Sequence, residues 1–129
     1  MASKIEVREG VVQLLYRYYL LELNKNTLKQ EVLDNFQVDF FNEKDNLNML
    51  DLINELEKIE SHLSSKLNKS WSWERLAPVA RAILVNGYFE INYLNVSKAI
   101  VIDKSMDILR KYIPTTDPKF INAILDEKK

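Results

Sequence analysis

The sequence predicts an all-α fold, a compact bundle of about six helices that forms a single domain over residues 1–129. The chain has only two glycines and three prolines, so it lacks the turn residues on which hairpins and phosphate-binding loops depend. Apolar residues recur at spacings of three and four, which is the period of an amphipathic helix. With 47% hydrophobic residues, a chain of this length can bury a core without disulfides or metals.

The first half of the chain predicts three helices. The first runs from about Lys4 to Leu23, and its buried face is formed by Val7, Val11, Leu14, Tyr18 and Leu21. The second contains Leu28, Val32, Leu33 and Phe36, with Thr27 as a candidate N-cap, and leads into a connector, QVDFFNEKD, with a buried aromatic end. The third and longest begins near Leu47 and places one apolar stripe at Leu50, Ile53, Leu56, Ile59, Leu63 and Leu67.

The second half predicts three more helices, each marked by a proline or a cap. Pro78 fits the first turn of a fourth helix that reaches Tyr93, because proline is tolerated there and disruptive further in. Ser97 is a candidate N-cap for a fifth helix, which ends near Tyr112. Asp117 can cap a sixth helix, with Pro118 at its first position.

Composition narrows the class of function. The chain has no cysteine, which excludes a disulfide framework, a cysteine-ligated zinc and a thiol nucleophile. The opening residues, MASKIEVREG, are charged where a signal peptide is apolar, so we expect a cytoplasmic protein. Eighteen basic and nineteen acidic residues give a formal charge of −1. Global charge therefore does not indicate nucleic-acid binding, and only a local patch could provide it.

Residues that could perform catalysis are few. His62 is the one histidine, and the HExxH, GxGxxG and GKS/T patterns are absent, so we expect no catalytic residues, no metal site, no cofactor and no enzyme. Trp71 and Trp73 could pin a connector to the core or anchor a partner. Among the phenols of the first helix, periodicity favours Tyr18 for the core and leaves Tyr16 nearer the surface.

The closing segment KFINAILD, residues 119–126, has an unusual start for a core helix. Lys119 combines a cation with exposed backbone N–H groups at a helix N-terminus, which suits a phosphate. Phe120 could stack on a base or pack in the core. Asn122 could read a base edge or bond a neighbouring backbone group. At the start of the first helix, Lys4 and Arg8 project from one face.

Two stretches of the sequence resemble the NusB family of transcription antitermination factors. They are REGVVQLLY, residues 8–16, and the stretch from RAILVNGYFEI through AIVIDKSMDILRKYIPTTDPKFINAILD, residues 81–126. The order of these stretches and the spacing of the closing KFxNxxLD motif fit the family. The resemblance covers most of the chain, and residues 24–69 support it by helix pattern alone.

The resemblance implies an all-helical RNA-binding fold that binds short, single-stranded boxA RNA together with NusE, a small ribosomal-subunit protein. On that analogy Lys4, Arg8, Lys119, Phe120 and Asn122 face the RNA, and Tyr16 lies toward NusE. The complex would then join the elongating RNA polymerase. The predicted function is therefore regulation of transcription termination.

The sequence departs from the family pattern at the N-terminus, where Ile5, Glu6 and Val7 stand in place of a run of arginines. It also has Ala80 where the family usually has an acid that faces the partner. Affinity that rests on phosphate neutralisation falls with each cation lost. A protein-interaction adaptor that has lost most RNA binding is therefore the alternative prediction.

Overall fold

The computed structural model describes residues 3–68 and 71–126, and within these ranges all regular structure is helical. The predicted all-α fold is confirmed. The described residues form seven α-helices and a short 3-10 helix at Trp73–Arg75. The α-helices are α1 (Lys4–Leu20), α2 (Lys25–Leu33), α3 (Glu43–Asn54), α4 (Leu56–Ser65), α5 (Pro78–Asn92), α6 (Lys98–Tyr112) and α7 (Lys119–Leu125).

Helix α5 is the centre of the fold. It is buried along most of its length, and α1, α4, α6 and α7 all pack against it. Pro78 occupies its first turn, as predicted. At Gly87 the neighbouring helices come so close that an added Cβ would lie 2.7 Å from Leu125 Cδ1 of α7. A mostly apolar, buried helix of this kind positions its neighbours because each of them must bury a face against it.

Helices α1 and α5 run antiparallel. Arg8 near the start of α1 pairs with Glu90 near the end of α5, and Tyr19 near the end of α1 lies beside Arg81 near the start of α5. The connector after α2 packs on α1 at Gly10, where an added Cβ would lie 2.8 Å from Phe41 Cε1. Phe41 is buried, which confirms the buried aromatic end predicted for this connector.

The long third helix predicted from the sequence is wrong in one respect, because it is two helices that meet at Glu55. The N–H of Glu55 donates to the carbonyls of both Asp51 and Leu52 at 3.1 Å, which tightens the last turn of α3 and ends it. The predicted stripe survives after the break, where Leu56, Ile59 and Leu63 are buried. Before the break the buried set is Met49, Leu52 and Ile53, whereas Leu47 is exposed and Leu50 is half-buried.

Two predictions at the end of α1 also need correction. The helix ends at Leu20 rather than Leu23, and Glu22 adopts a left-handed backbone conformation with φ of 52°, which helices do not accommodate. Asn24, rather than Thr27, caps α2, since its side-chain oxygen accepts the N–H of Thr27 at 2.8 Å. Within the described ranges, no helix has the length and apolar character needed to cross a membrane.

Candidate nucleic-acid interface

The predicted RNA-facing residues of the closing segment lie along the short helix α7. Lys119 and Asn122 are exposed, whereas Phe120 is half-buried and packs against the core. The backbone N–H of Lys119 donates to Asp117 Oδ1 at 3.0 Å, so Asp117 takes up one of the donors that open the helix. This arrangement leaves the ammonium of Lys119 and the amide of Asn122 in solvent beside a partly accessible aromatic ring.

Phe120 lines a cavity of about 550 Å³, here called the α7 cavity. Its lining is mostly apolar and comes from the segment after α4, the start of α5, the end of α6 and α7. The side chains involved are Lys66, Leu67, Asn68, Trp71, Leu76, Ala77, Ala80, Leu109, Ile113, Thr116, Asp117, Phe120, Ala123 and Ile124. A concave apolar surface of this size is typical of sites that take up an aromatic or aliphatic group.

The two tryptophans before α5 differ in burial. Trp73 is buried, and its ring lies edge-on to Tyr19 at 6.1 Å. Trp71 is 56% exposed at the α7 cavity. One tryptophan therefore pins the connector, and the other is available on the surface.

The predicted basic residues of α1 have different environments. Lys4 is exposed. Arg8 is buried, and its guanidinium makes two hydrogen bonds to the Glu90 carboxylate, from Nε at 2.7 Å and from Nη2 at 2.8 Å. Asn86 Nδ2 donates to the same carboxylate at 2.8 Å. Arg8 is therefore committed to a bidentate ion pair within the protein.

Glu90 and Asn86 are functional neighbours that the sequence reasoning missed. The sequence contains a signal for them, because Asn86 and Glu90 stand four residues apart in the apolar stretch that follows Arg81, AILVNGYFEI. Polar residues at that spacing share one face of a helix. A buried carboxylate needs a cation or several donors, and Arg8 provides that cation.

The structure does not bring the two predicted groups of RNA-facing residues into one pocket. Lys4 and Arg8 line a second cavity, of about 430 Å³, together with Phe89 of α5; it is called the α1 cavity below. Ala80 in the α7 cavity and Phe89 are separated by two and a half turns of α5, about 13 Å along the axis and about 180° around it. The two cavities therefore meet α5 at opposite ends and on opposite sides.

Tyr16, the residue predicted to lie toward a protein partner, is half-buried on the α1–α6 side. Its ring lies 6.3 Å from that of Tyr112, whose hydroxyl accepts a hydrogen bond from Gln13 Nε2 at 3.3 Å. Tyr18 was predicted to be the core phenol, but it is half-buried, and Tyr19 is the buried one. The reason is that Tyr19 packs against both Trp73 and Arg81 and donates from its hydroxyl to Glu60 at 2.7 Å.

The single histidine lies outside both cavities. His62 is half-buried in the last turn of α4, and its ring lies 4.9 Å from that of Tyr88. In the part of the chain that the structure describes, no group of three or more histidine, cysteine, aspartate or glutamate side chains could hold a metal ion.

Comparison with known proteins places the sequence and the fold in a family context. The model of the NusB family matches residues 5–128. The Transcription antitermination protein NusB of Methylacidiphilum infernorum is 35% identical over 98% of this chain and 90% of its own length. The protein of the same name from a Nitratiruptor species is 35% identical over 98% of this chain and 91% of its own length.

A solved structure described as "Crystal Structure of a Plectonemic RNA Supercoil" superposes with a TM-score of 0.73 and 27% identity. The match covers 98% of this chain and 93% of that one. Sequence and fold thus agree over nearly the whole length, and this chain belongs to the NusB family.

Proposed function

We propose that this protein is a transcription antitermination factor that binds boxA-like single-stranded RNA together with NusE and joins the elongating RNA polymerase through that complex. The match of the NusB family model over residues 5–128 is the observation that carries the proposal. The relatives that share this family are named transcription antitermination proteins. The protein acts by holding RNA and partner together, and the proposal assigns it no catalytic role.

The opening of α7 provides the chemistry that single-stranded RNA requires. Unstacked bases are recognised by stacking on aromatic rings and by hydrogen bonds to their edges. Phe120 offers a half-exposed ring, Asn122 offers an exposed amide with both donors and an acceptor, and Lys119 offers a cation for a phosphate. Lys4 supplies a further exposed cation on α1.

The role of Arg8 in this proposal depends on its ion pair with Glu90. Its guanidinium could meet a phosphate only by leaving Glu90, which holds it at 2.7 and 2.8 Å. In the arrangement described here, Arg8 fixes the first turns of α1 against α5 and so places Lys4. Tyr16 is proposed to face NusE, as the family resemblance implies; its half-buried ring lies on the α1–α6 side, 6.3 Å from that of Tyr112.

The proposal is tested by fluorescence anisotropy of a labelled boxA-like RNA, titrated with the protein alone and with NusE at two salt concentrations. We expect binding that weakens as salt rises and strengthens when NusE is present. Phe120→Ala should weaken RNA binding strongly while circular dichroism retains the helical signal. Phe40→Ala is the matched control, since Phe40 is a partly exposed phenylalanine that lines neither cavity.

A loss of binding by Phe120→Ala in step with a loss of helicity would assign Phe120 to the core and remove it from the site. Phe120→Leu separates the two roles, because leucine retains apolar packing but cannot stack as a ring does.

A second candidate function is a NusB-fold adaptor that binds NusE without RNA. The observation that favours it is the Arg8–Glu90 pair, which leaves Lys4 as the exposed cation of the two predicted on α1. Under this alternative NusE is captured, but the labelled RNA gives no salt-dependent anisotropy change at either concentration.

A further inference from the structure

The α1 cavity is a composite of three helices that the sequence does not place together. The start of α1, the start of α3 and the end of α5 with the segment after it all contribute side chains. They are Lys4, Val7, Arg8, Val11, Asn42, Lys44, Asp45, Asn48, Met49, Leu52, Asn86, Phe89, Glu90, Leu94 and Val96. The cavity thus combines an apolar lining with three amides and three cations.

The polar wall formed by α1 and α5 is internally satisfied. Arg8 donates twice to Glu90, and Asn86 donates to the same carboxylate. The charges of Arg8 and Glu90 therefore offset each other in this wall. Val7, Leu94 and Val96 provide the accessible apolar surface beside it, whereas Met49, Leu52 and Phe89 form its buried floor.

The rim of the cavity differs from this wall in its charged groups, because two lysines from different helices, Lys4 of α1 and Lys44 of α3, border it. Lys4 and Lys44 are both exposed, and neither forms an ion pair with any residue in the described ranges. Asp45 also lines the cavity and keeps its negative charge there, while its Oδ2 accepts the backbone N–H of Asn42 at 3.0 Å. Glu6 is similarly engaged, since its Oε1 accepts the N–H of Ser3 at 3.1 Å, and Glu43 is exposed outside the lining.

We propose that the α1 cavity is a second RNA subsite that takes one unstacked nucleotide, and that Lys44 and Asn48 of α3 are binding residues in it. The base lies on the apolar lining, Asn48 hydrogen-bonds its edge, and Lys4 and Lys44 hold the neighbouring phosphate. This inference rests on the proposed function and deepens it. It adds α3 to the RNA-binding surface, with Lys44 as a cation from outside α1.

The test measures anisotropy of the labelled RNA over a series of salt concentrations for the wild type, Lys44→Ala and Asn48→Ala. Lys44→Ala should weaken binding several-fold and lower the slope of log K against log salt by about 0.7, the value for one phosphate contact on a single strand. Asn48→Ala should weaken binding without altering that slope, since it removes a hydrogen bond and no charge. Lys58→Ala is the matched control, because Lys58 on α4 is 82% exposed and lies outside both cavities.

The outcomes separate this inference from the function on which it rests. If the wild type binds RNA, and Lys44→Ala binds it with the same affinity and the same dependence of log K on log salt, the subsite is wrong and the proposed function stands. If the wild type fails to bind RNA at every salt concentration, both alone and with NusE present, both proposals are overturned. Equal slope changes from Lys44→Ala and Lys58→Ala would show a diffuse electrostatic effect and would also overturn the subsite.

Discussion

The two ends of the α1–α5 interface are held together by different interactions. At one end a buried ion pair joins Arg8 to Glu90, with side-chain exposures of 6% and 11%. At the other end Tyr19 packs against Trp73 and beneath the guanidinium of Arg81, whose Cζ lies 4.8 Å from the ring centroid. The first end depends on matching two charges away from water, whereas the second depends on apolar area and ring geometry.

This difference predicts how each end responds to substitution. A buried ion pair contributes little net stability relative to apolar packing, yet removing one partner leaves an uncompensated charge. A substitution in aromatic packing lowers the free energy of unfolding in proportion to the buried area and volume that it removes. The ionic end should therefore be sensitive to single changes and tolerant of paired apolar replacement, and the aromatic end should show no such rescue.

The largest effect is expected for Glu90→Ala. It strands the Arg8 guanidinium and should lower the free energy of unfolding by about 3–5 kcal/mol, as measured by urea denaturation. The double variant Arg8→Met with Glu90→Leu should recover much of that loss, because no buried charge remains. A double variant as unstable as Glu90→Ala would show that the pair itself, rather than the stranded charge, dominates.

At the aromatic end, Trp73→Ala should lower the free energy of unfolding by about 3 kcal/mol, because it empties a buried site against Tyr19. Trp71→Ala, two residues earlier, should change it by less than about 0.5 kcal/mol, since that ring is mostly in solvent. Similar losses from the two variants would mean that Trp71 also supports the core.

Tyr19→Phe tests the polar part of the aromatic end. Removing the hydroxyl that donates to the Glu60 carboxylate should cost about 1.5–3 kcal/mol near neutral pH, the range for a hydrogen bond to a charged group. Burial and the nearby Glu60 carboxylate raise the pKa of Tyr19 above its ordinary value. The folded state thus retains a proton that the unfolded state loses above pH about 10, and stability falls as pH rises through that range.

The alkaline measurement compares urea midpoints of wild type and Tyr19→Phe between neutral and strongly alkaline pH. The wild type should lose stability more steeply, by up to about 1.4 kcal/mol per pH unit. Parallel curves for the two proteins would contradict a protonated, buried Tyr19 phenol.

Helix positions were predictable from the sequence where a periodic stripe coincided with a proline or a cap. Pro78 marked the start of α5 because proline both fits and restricts the first turn. The break at Glu55 could not be predicted, because the apolar stripe continues on both sides of it. Apolar periodicity reports which face is buried, and a tightened turn at a single residue leaves that periodicity almost unchanged.

The choice between Tyr18 and Tyr19 shows a second limit of predicting burial from the sequence. Both lie on the broad apolar face of α1, and which one is buried depends on Trp73 and Arg81, more than 50 residues away along the chain. The candidate RNA site has the same limit. Lys4 and Arg8 look equivalent four residues apart, yet Glu90 of α5 takes one of them into the interior and leaves the other in solvent.

The smallest effect on stability is expected for the ion pair formed by Glu9, the residue that follows Arg8 in α1. Glu9 Oε2 lies 3.0 Å from Lys111 Nζ of α6, as short as many buried pairs, but the lysine side chain is 61% exposed. The hydrogen bond to Glu9 and the charge of its carboxylate raise the pKa of Lys111, but water and salt screen an exposed pair of this kind. Lys111→Gln should therefore leave the urea midpoint unchanged at high salt and lower it barely, if at all, at low salt. A loss comparable to that of Glu90→Ala would mean that distance rather than burial governs ion pairs along α1, and the contrast between Arg8 and Glu9 would fail.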